Sequence, residues 1–230
     1  MIRLAAAALM ALPIITTPPA LAAERNFPVG GFTKLSLAGS PDVMVMTGKQ
    51  PGVRAAGSDA ALERLDIRVE GNTLKIGTKR GSGWSWTDHG GVKVAVTVPM
   101  LSAVDVSGSG GVVIDRIKTA DFAAAMSGSG SIRVAALDAD ATSFSTAGSG
   151  TMEAAGRCKA GAAKIAGSGD LKLAGLKCET LSASVAGSGT IDAFASRAAT
   201  LAIMGSGDIN LTGGGRCTVS SAGSGKAHCS

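Results

Sequence analysis

The residues best suited to chemistry are four cysteines, Cys158, Cys178, Cys217 and Cys229. Their spacing contains no Cys-x-x-Cys, and His89 and His228 are the only histidines, so zinc ligation has too few partners. An even count in an exported chain points to disulfides rather than to a thiol nucleophile. A second constellation is Gly81-Ser82-Gly83-Trp84-Ser85-Trp86-Thr87-Asp88-His89-Gly90-Gly91. Two tryptophans two residues apart point the same way in extended chain, where paired indoles can stack on a sugar or a partner protein. Trp84, Trp86 and His89 are therefore the candidate contact residues, with a hydrophobic lid over the fold as the competing role. The carboxylates of Asp170 and Asp208 follow Gly-Ser-Gly as in calcium turns of β-rolls. Those turns repeat every nine residues or so, and only two copies here carry the Asp. Asp115, Glu153, Asp170, Asp192 and Asp208 are too dispersed to suggest the paired carboxylates of a polysaccharide-cleaving enzyme. No G-x-S-x-G, G-x-G-x-x-G or H-E-x-x-H motif occurs. The expectation is no catalytic residue, no metal and no cofactor.

The elements that carry these residues are read from a repeat. Gly-Ser-Gly begins at Gly108, Gly128, Gly148, Gly167, Gly187, Gly205 and Gly223, in steps of 20, 20, 19, 20, 18 and 18 residues. A period of this length predicts a β-solenoid, each repeat one turn stacked on the last. Two residues before each corner stand Val106, Met126, Thr146, Ile165, Val185, Ile203 and Ser221; four before stand Val104, Ala124, Phe144, Ala163, Ala183, Leu201 and Val219. Two residues after each corner's last Gly stand Val112, Ile132, Met152, Leu171, Ile191, Ile209 and Ala227. Polar or small residues alternate with them, so each corner joins two strands with one buried face. Glycine suits a tight corner repeated layer upon layer, and the corner serines can hydrogen-bond to one another. Cys158 and Cys178 each lie nine residues before a corner, which stacks them on adjacent turns within disulfide range. Cys217 and Cys229 flank the last corner, so the predicted bridges are Cys158–Cys178 and Cys217–Cys229, the second closing a C-terminal cap.

Residues 24–101 lack the repeat but still read as strands over Phe32–Leu37, Val43–Met46, Leu65–Val69, Thr73–Ile76 and Val92–Val98. Asp59–Leu65 reads as a short helix with Ser58 as N-cap. Ala38-Gly39-Ser40-Pro41 is a degenerate copy of the corner, which hints that the coil starts there. At the N-terminus, Arg3, the apolar run from Leu4 to Ile15 and Ala20-Leu21-Ala22 have the layout of a secretory signal, and the run is too short to span a bilayer. The expected division is 1–22 signal peptide, 23–101 β-rich first turns and 102–230 repeat solenoid with its cap. The formal net charge of +5 is spread without basic runs, which argues against a nucleic-acid partner.

Phe32-Thr33-Lys34-Leu35, Leu74-Lys75-Ile76, Val92 to Leu101 (VKVAVTVPML), Val106-Ser107-Gly108-Ser109-Gly110 and Gly205-Ser206-Gly207-Asp208-Ile209-Asn210 together resemble the head GIN domain family, the "putative auto-transporter adhesins" of bacteria. The resemblance covers essentially the whole chain after the signal. It implies a right-handed parallel β-helix and an envelope location, and it carries no catalytic residues. The leading functional expectation is a non-enzymatic exported β-solenoid: periplasmic, cell-surface or secreted, binding a glycan or a protein of the envelope. The alternatives are a carbohydrate-active β-helix enzyme and a structural protein that self-associates weakly through its exposed end turn.

Overall fold

The computed structural model describes residues 23–79 and 91–230, and in it the chain is an all-β stack of parallel strands. The repeat region supplies most of the layers. β8 (Ala103–Gly108) and β9 (Gly111–Ile114) flank the first corner; β10 (Ile117–Gly128), β11 (Ser131–Gly148), β12 (Thr151–Gly167), β13 (Asp170–Gly187) and β14 (Thr190–Gly205) follow. β15 (Asp208–Thr212), β16 (Arg216–Gly223) and β17 (Ala227–Cys229) complete the series. Each corner glycine pairs in register with the next, from Gly108 through Gly128, Gly148, Gly167, Gly187 and Gly205 to Gly223.

Sterics impose glycine on this column. The first glycine of every repeat has φ between +122° and +132°. A Cβ there would sit 2.2–2.5 Å from the carbonyl oxygen of the glycine one layer below. That close approach makes the layer-to-layer bonds, such as Ser129 N–H to Gly108 O at 3.0 Å and Ser149 N–H to Gly128 O at 3.0 Å. At the last two corners the serines pair, the Ser206 and Ser224 hydroxyls lying 3.1 Å apart.

The core is the stack of inward columns. Phe144 stands between Ala124 and Ala163 in its column, and its ring meets Phe122 edge-on with centroids 6.0 Å apart. A large side chain flanked by small ones fills a narrow spiral without overpacking. The irregular steps arise on the far side of each turn. Residues 135 and 136 of β11 face residue 155 alone of β12, and four residues between Lys172 and Lys177 face only Ala193 in the next layer. Gly156 sits at the first of these bulges with φ +134°, its absent Cβ replaced by the backbone of Leu137.

The first half of the chain joins the same stack out of sequence order. β2 (Lys34–Gly39) and β3 (Asp42–Thr47) form a layer whose corner Gly39 pairs with Gly108, so the degenerate corner is a true one. Outside that layer lies another, β6 (Thr73–Thr78) and β7 (Lys93–Val98). β2–β3 is thus held between β6–β7 on one side and β8–β9 on the other. Antiparallel strands then close that end: β4 (Gly52–Gly57) on β7, β1 (Ala23–Phe27) on β4, and β5 (Leu65–Glu70) on β6. The helix α1 (Asp59–Arg64) joins β4 to β5, and the Ser58 hydroxyl accepts from Ala61 N–H at 3.3 Å as its N-cap. No helix among the described residues is long and apolar enough to cross a membrane.

Both expected disulfides are present. Cys158 and Cys178 are paired neighbours in β12 and β13 with Cα atoms 4.4 Å apart, and Cys217 joins Cys229 across the last corner at 6.5 Å. The first bridge is buried. In the second, Cys217 is half-buried and Cys229 exposed, because no layer lies above them among the described residues.

Candidate interaction surface

Alternation leaves every second residue of each strand pointing outward, so the stack presents flat faces whose chemistry is set column by column. The face before the corners carries mostly Ala, Ser and Thr, for example Ser143, Ser145 and Ala147 in one layer and Ser182, Ser184 and Ala186 in a later one. The bulged side carries ion pairs between layers: Asp138 with Arg157, Asp140 with Lys159 at 2.7 Å, and Glu179 with Arg197 at 3.0 Å. Arg157 Nε also donates to Asp138 Oδ1 at 2.9 Å, and this bond holds the Asp138 carboxyl below the ordinary carboxylate range. A groove of about 560 Å³ runs along this side past Arg116, Lys118, Leu137 and Asp138.

The face after the corners is divided. One row crosses it at one residue per strand, from Arg54 on β4 through Ala95, Met44, Val113 and Arg133 to Glu153. Further on, Glu153 is followed by Lys172, Asp192 and Asn210. Arg133, Glu153, Lys172 and Asp192 alternate in sign; Arg133 Nη1 lies 3.1 Å from Glu153 Oε2, and the Asn210 amide Nδ2 donates to Asp192 Oδ1 at 2.8 Å. The centre of the row is apolar instead. Met44 is 57% exposed and Val113 42% exposed, side by side on adjacent strands, with half-buried Ala95 and Ala56 beside them. They floor a shallow groove of about 580 Å³. Its rim holds Glu24, Asp42, Arg54 and Lys93; Arg54 is steadied by Asn26 Oδ1 at 3.2 Å and Glu24 Oε2 at 3.5 Å.

Asp115, Glu153, Asp192 and Asp208, singled out in the sequence, bond across layers. Asp115 accepts from Thr47 N–H at 3.0 Å, Asp208 from Lys226 N–H at 2.9 Å, and Glu153 pairs with Arg133. No group of three His, Cys, Asp or Glu side chains among the described residues is placed to hold a metal ion. Trp84, Trp86 and His89 lie outside the described residues; β6 ends at Thr78 and β7 begins at Lys93, on the groove rim. The groove itself went unnoticed in the sequence. Its signal is the outward methionine of Asp42-Val43-Met44-Val45, an apolar residue where the alternation calls for a polar one.

The family described as "Putative auto-transporter adhesin, head GIN domain" matches residues 31–215. No curated protein matches the chain in sequence. Among solved structures, a "putative adhesin" from Bacteroides fragilis superposes with a TM-score of 0.86 at 22% identity, covering 93% of this chain and 99% of that one. A "putative lipid binding protein" from Parabacteroides distasonis gives 0.73 at 23% identity over 92% of this chain and 98% of that one. A "putative adhesin" from Parabacteroides merdae gives 0.73 at 16% identity over 92% and 97%. At these identities the neighbours speak for the fold, while the match over residues 31–215 speaks for kinship: the chain belongs to the head GIN domain family.

Proposed function

We propose that the chain is a non-enzymatic, exported binding module of the bacterial envelope. Residues 1–22 are its leader, and 23–101 and 102–230 are the lower and upper parts of one stack. Its contact surface is the floor of Met44, Ala95 and Val113, and its partner is a protein segment with apolar and charged side chains. The observation that carries this reading is the pair of exposed apolar side chains, Met44 and Val113, in a row whose outer members, Arg54, Arg133, Glu153, Lys172, Asp192 and Asn210, are charged or polar. A methionine adapts its shape to different apolar partners, and exposed apolar patches with polar rims mark interaction sites. Rim residues of both signs, Glu24 and Asp42 against Arg54 and Lys93, suit a partner carrying both. Two disulfides support an oxidising compartment. The lipid-binding description of one structural neighbour supplies a second reading, an acyl chain lying on the same floor.

The test compares the wild type with Met44→Glu and with Trp84→Ala/Trp86→Ala on peptide libraries, a glycan array and phospholipid vesicles. Peptide capture that Met44→Glu abolishes, at unchanged melting temperature, is the expected result. Capture of vesicles alone moves the reading to the acyl chain. Glycan capture lost only in the tryptophan variant, or turnover of a polysaccharide by the wild type, overturns it.

A further inference from the structure

The two ends of the stack are finished differently. At the N-terminal end the outermost strands are β1 and β5, and both carry charge: Glu24 and Arg25 on one, Asp66, Arg68 and Glu70 on the other. Charged edge strands discourage the addition of further strands. At the opposite end the outermost strands are β16 and the three-residue β17; β16 is paired with β14 on one side and with no strand on the other among the described residues. From Cys217 to Gly223 this strand has neither charge nor proline. Val219 points along the core column of Leu201 and Ala183, both buried, yet is itself 46% exposed. The Cys217–Cys229 bridge ties β16 to β17, so the edge is held ready in strand conformation.

We propose that this end is a self-association surface, on which a second copy of the chain pairs through antiparallel β16 strands about a twofold axis. The occupant follows from continuity with the stack: every inner layer buries its column under the next, and β16 presents the same column uncovered. A twofold axis normal to the sheet keeps core-facing residues opposite core-facing ones. Pairing centred on Val219 sets the two Val219 side chains against each other, Thr218 against Ser220 and Arg216 against Ala222. Apolar meets apolar, hydroxyl meets hydroxyl, and the strand's one charge meets a neutral residue. Head-to-tail growth would instead press β16 against the charged edges of β1 and β5, so the assembly closes at two copies. The inference is independent of the Met44 surface, which it places twice on one particle, once toward each far end.

Sedimentation of the purified chain over a concentration series tests this, together with amide exchange. Expected are a monomer–dimer equilibrium and slowed exchange confined to residues 216–223 as concentration rises. Ser220→Lys and Thr218→Lys, both at exposed outward positions, are each expected to raise the dissociation constant at least about tenfold, with no change in melting temperature at concentrations where the wild type is monomeric. A chain monomeric up to about 1 mM overturns the proposal. Dimers that both lysine variants leave intact, or protection on another face, do the same. So does a β16 edge that is protected only when a different protein is added.

Discussion

Cys158 and Cys178 sit in the same column of successive layers, directly paired across β12 and β13, and their bridge is buried at 5% and 3% exposure. Cys229 of the other bridge faces solvent. Mild reductant without denaturant should therefore open Cys217–Cys229 first and leave Cys158–Cys178 closed, as alkylation followed by mass spectrometry of a digest would read out. Removing the buried bridge by Cys158→Ser/Cys178→Ser should cost about 3 kcal/mol of unfolding free energy in a denaturant titration. Equal alkylation of both pairs would contradict the burial difference.

Gly148 has φ +125°, and a Cβ on it would meet Gly128 O at 2.5 Å. Gly148→Ala should lower stability by about 2–3 kcal/mol, since it adds left-handed strain to a clash with backbone that cannot move aside. Gly31→Ala, where a Cβ meets nothing within 4 Å, should stay within about 0.5 kcal/mol of the wild type. Melting curves of the two variants make the comparison.

Thr146 occupies a core position between Met126 and Ile165, and its buried hydroxyl has no hydrogen-bond partner among the described residues. Thr146→Val keeps the shape and removes the orphan, so it should raise stability by about 1 kcal/mol. A loss of stability would mean that the hydroxyl has a partner in solution.

The Glu70 carboxyl has its pKa lowered from 4.5 to about 2, first by a hydrogen bond from Lys75 and then by one from Arg68, with Arg68 Nε to Glu70 Oε1 at 2.6 Å. A depressed carboxyl stabilises the folded form fully above its unfolded value, and the contribution fades as pH falls from about 4.5 toward 2. Protection factors of the amides in the β5–β6 hairpin, taken against the intrinsic exchange rate at each pH, should fall over that window. Glu70→Gln should show no such fall.

The repeat half was legible because its partners lie one period apart. Cys158 and Cys178, the corner glycines and the apolar columns all pair at the offset that the sequence displays. Ser58 and the helix after it were legible from local capping chemistry alone. The layer order of the first half was not, because Lys34 pairs with Thr73 on one side and Ala103 on the other, separations that no repeat announces. β1 and β4 escaped notice for a different reason. Ala23–Phe27 has no alternation, and Gly52–Gly57 has two small residues, Ala55 and Ala56, where a strand usually shows contrast. The Met44 groove depends on that same hidden order, since Ala95 and Val113 become its neighbours only through it.

The placement of β2–β3 has a consequence for how the molecule is made. Its two flanking layers come from residues 73–98 and 103–114, so this layer has no seat until the chain has been produced well beyond it. The later layers, by contrast, close short loops of about twenty residues each. Short loops close fastest, so the repeat layers are expected to form first and the β2–β3 layer to be locked in after them.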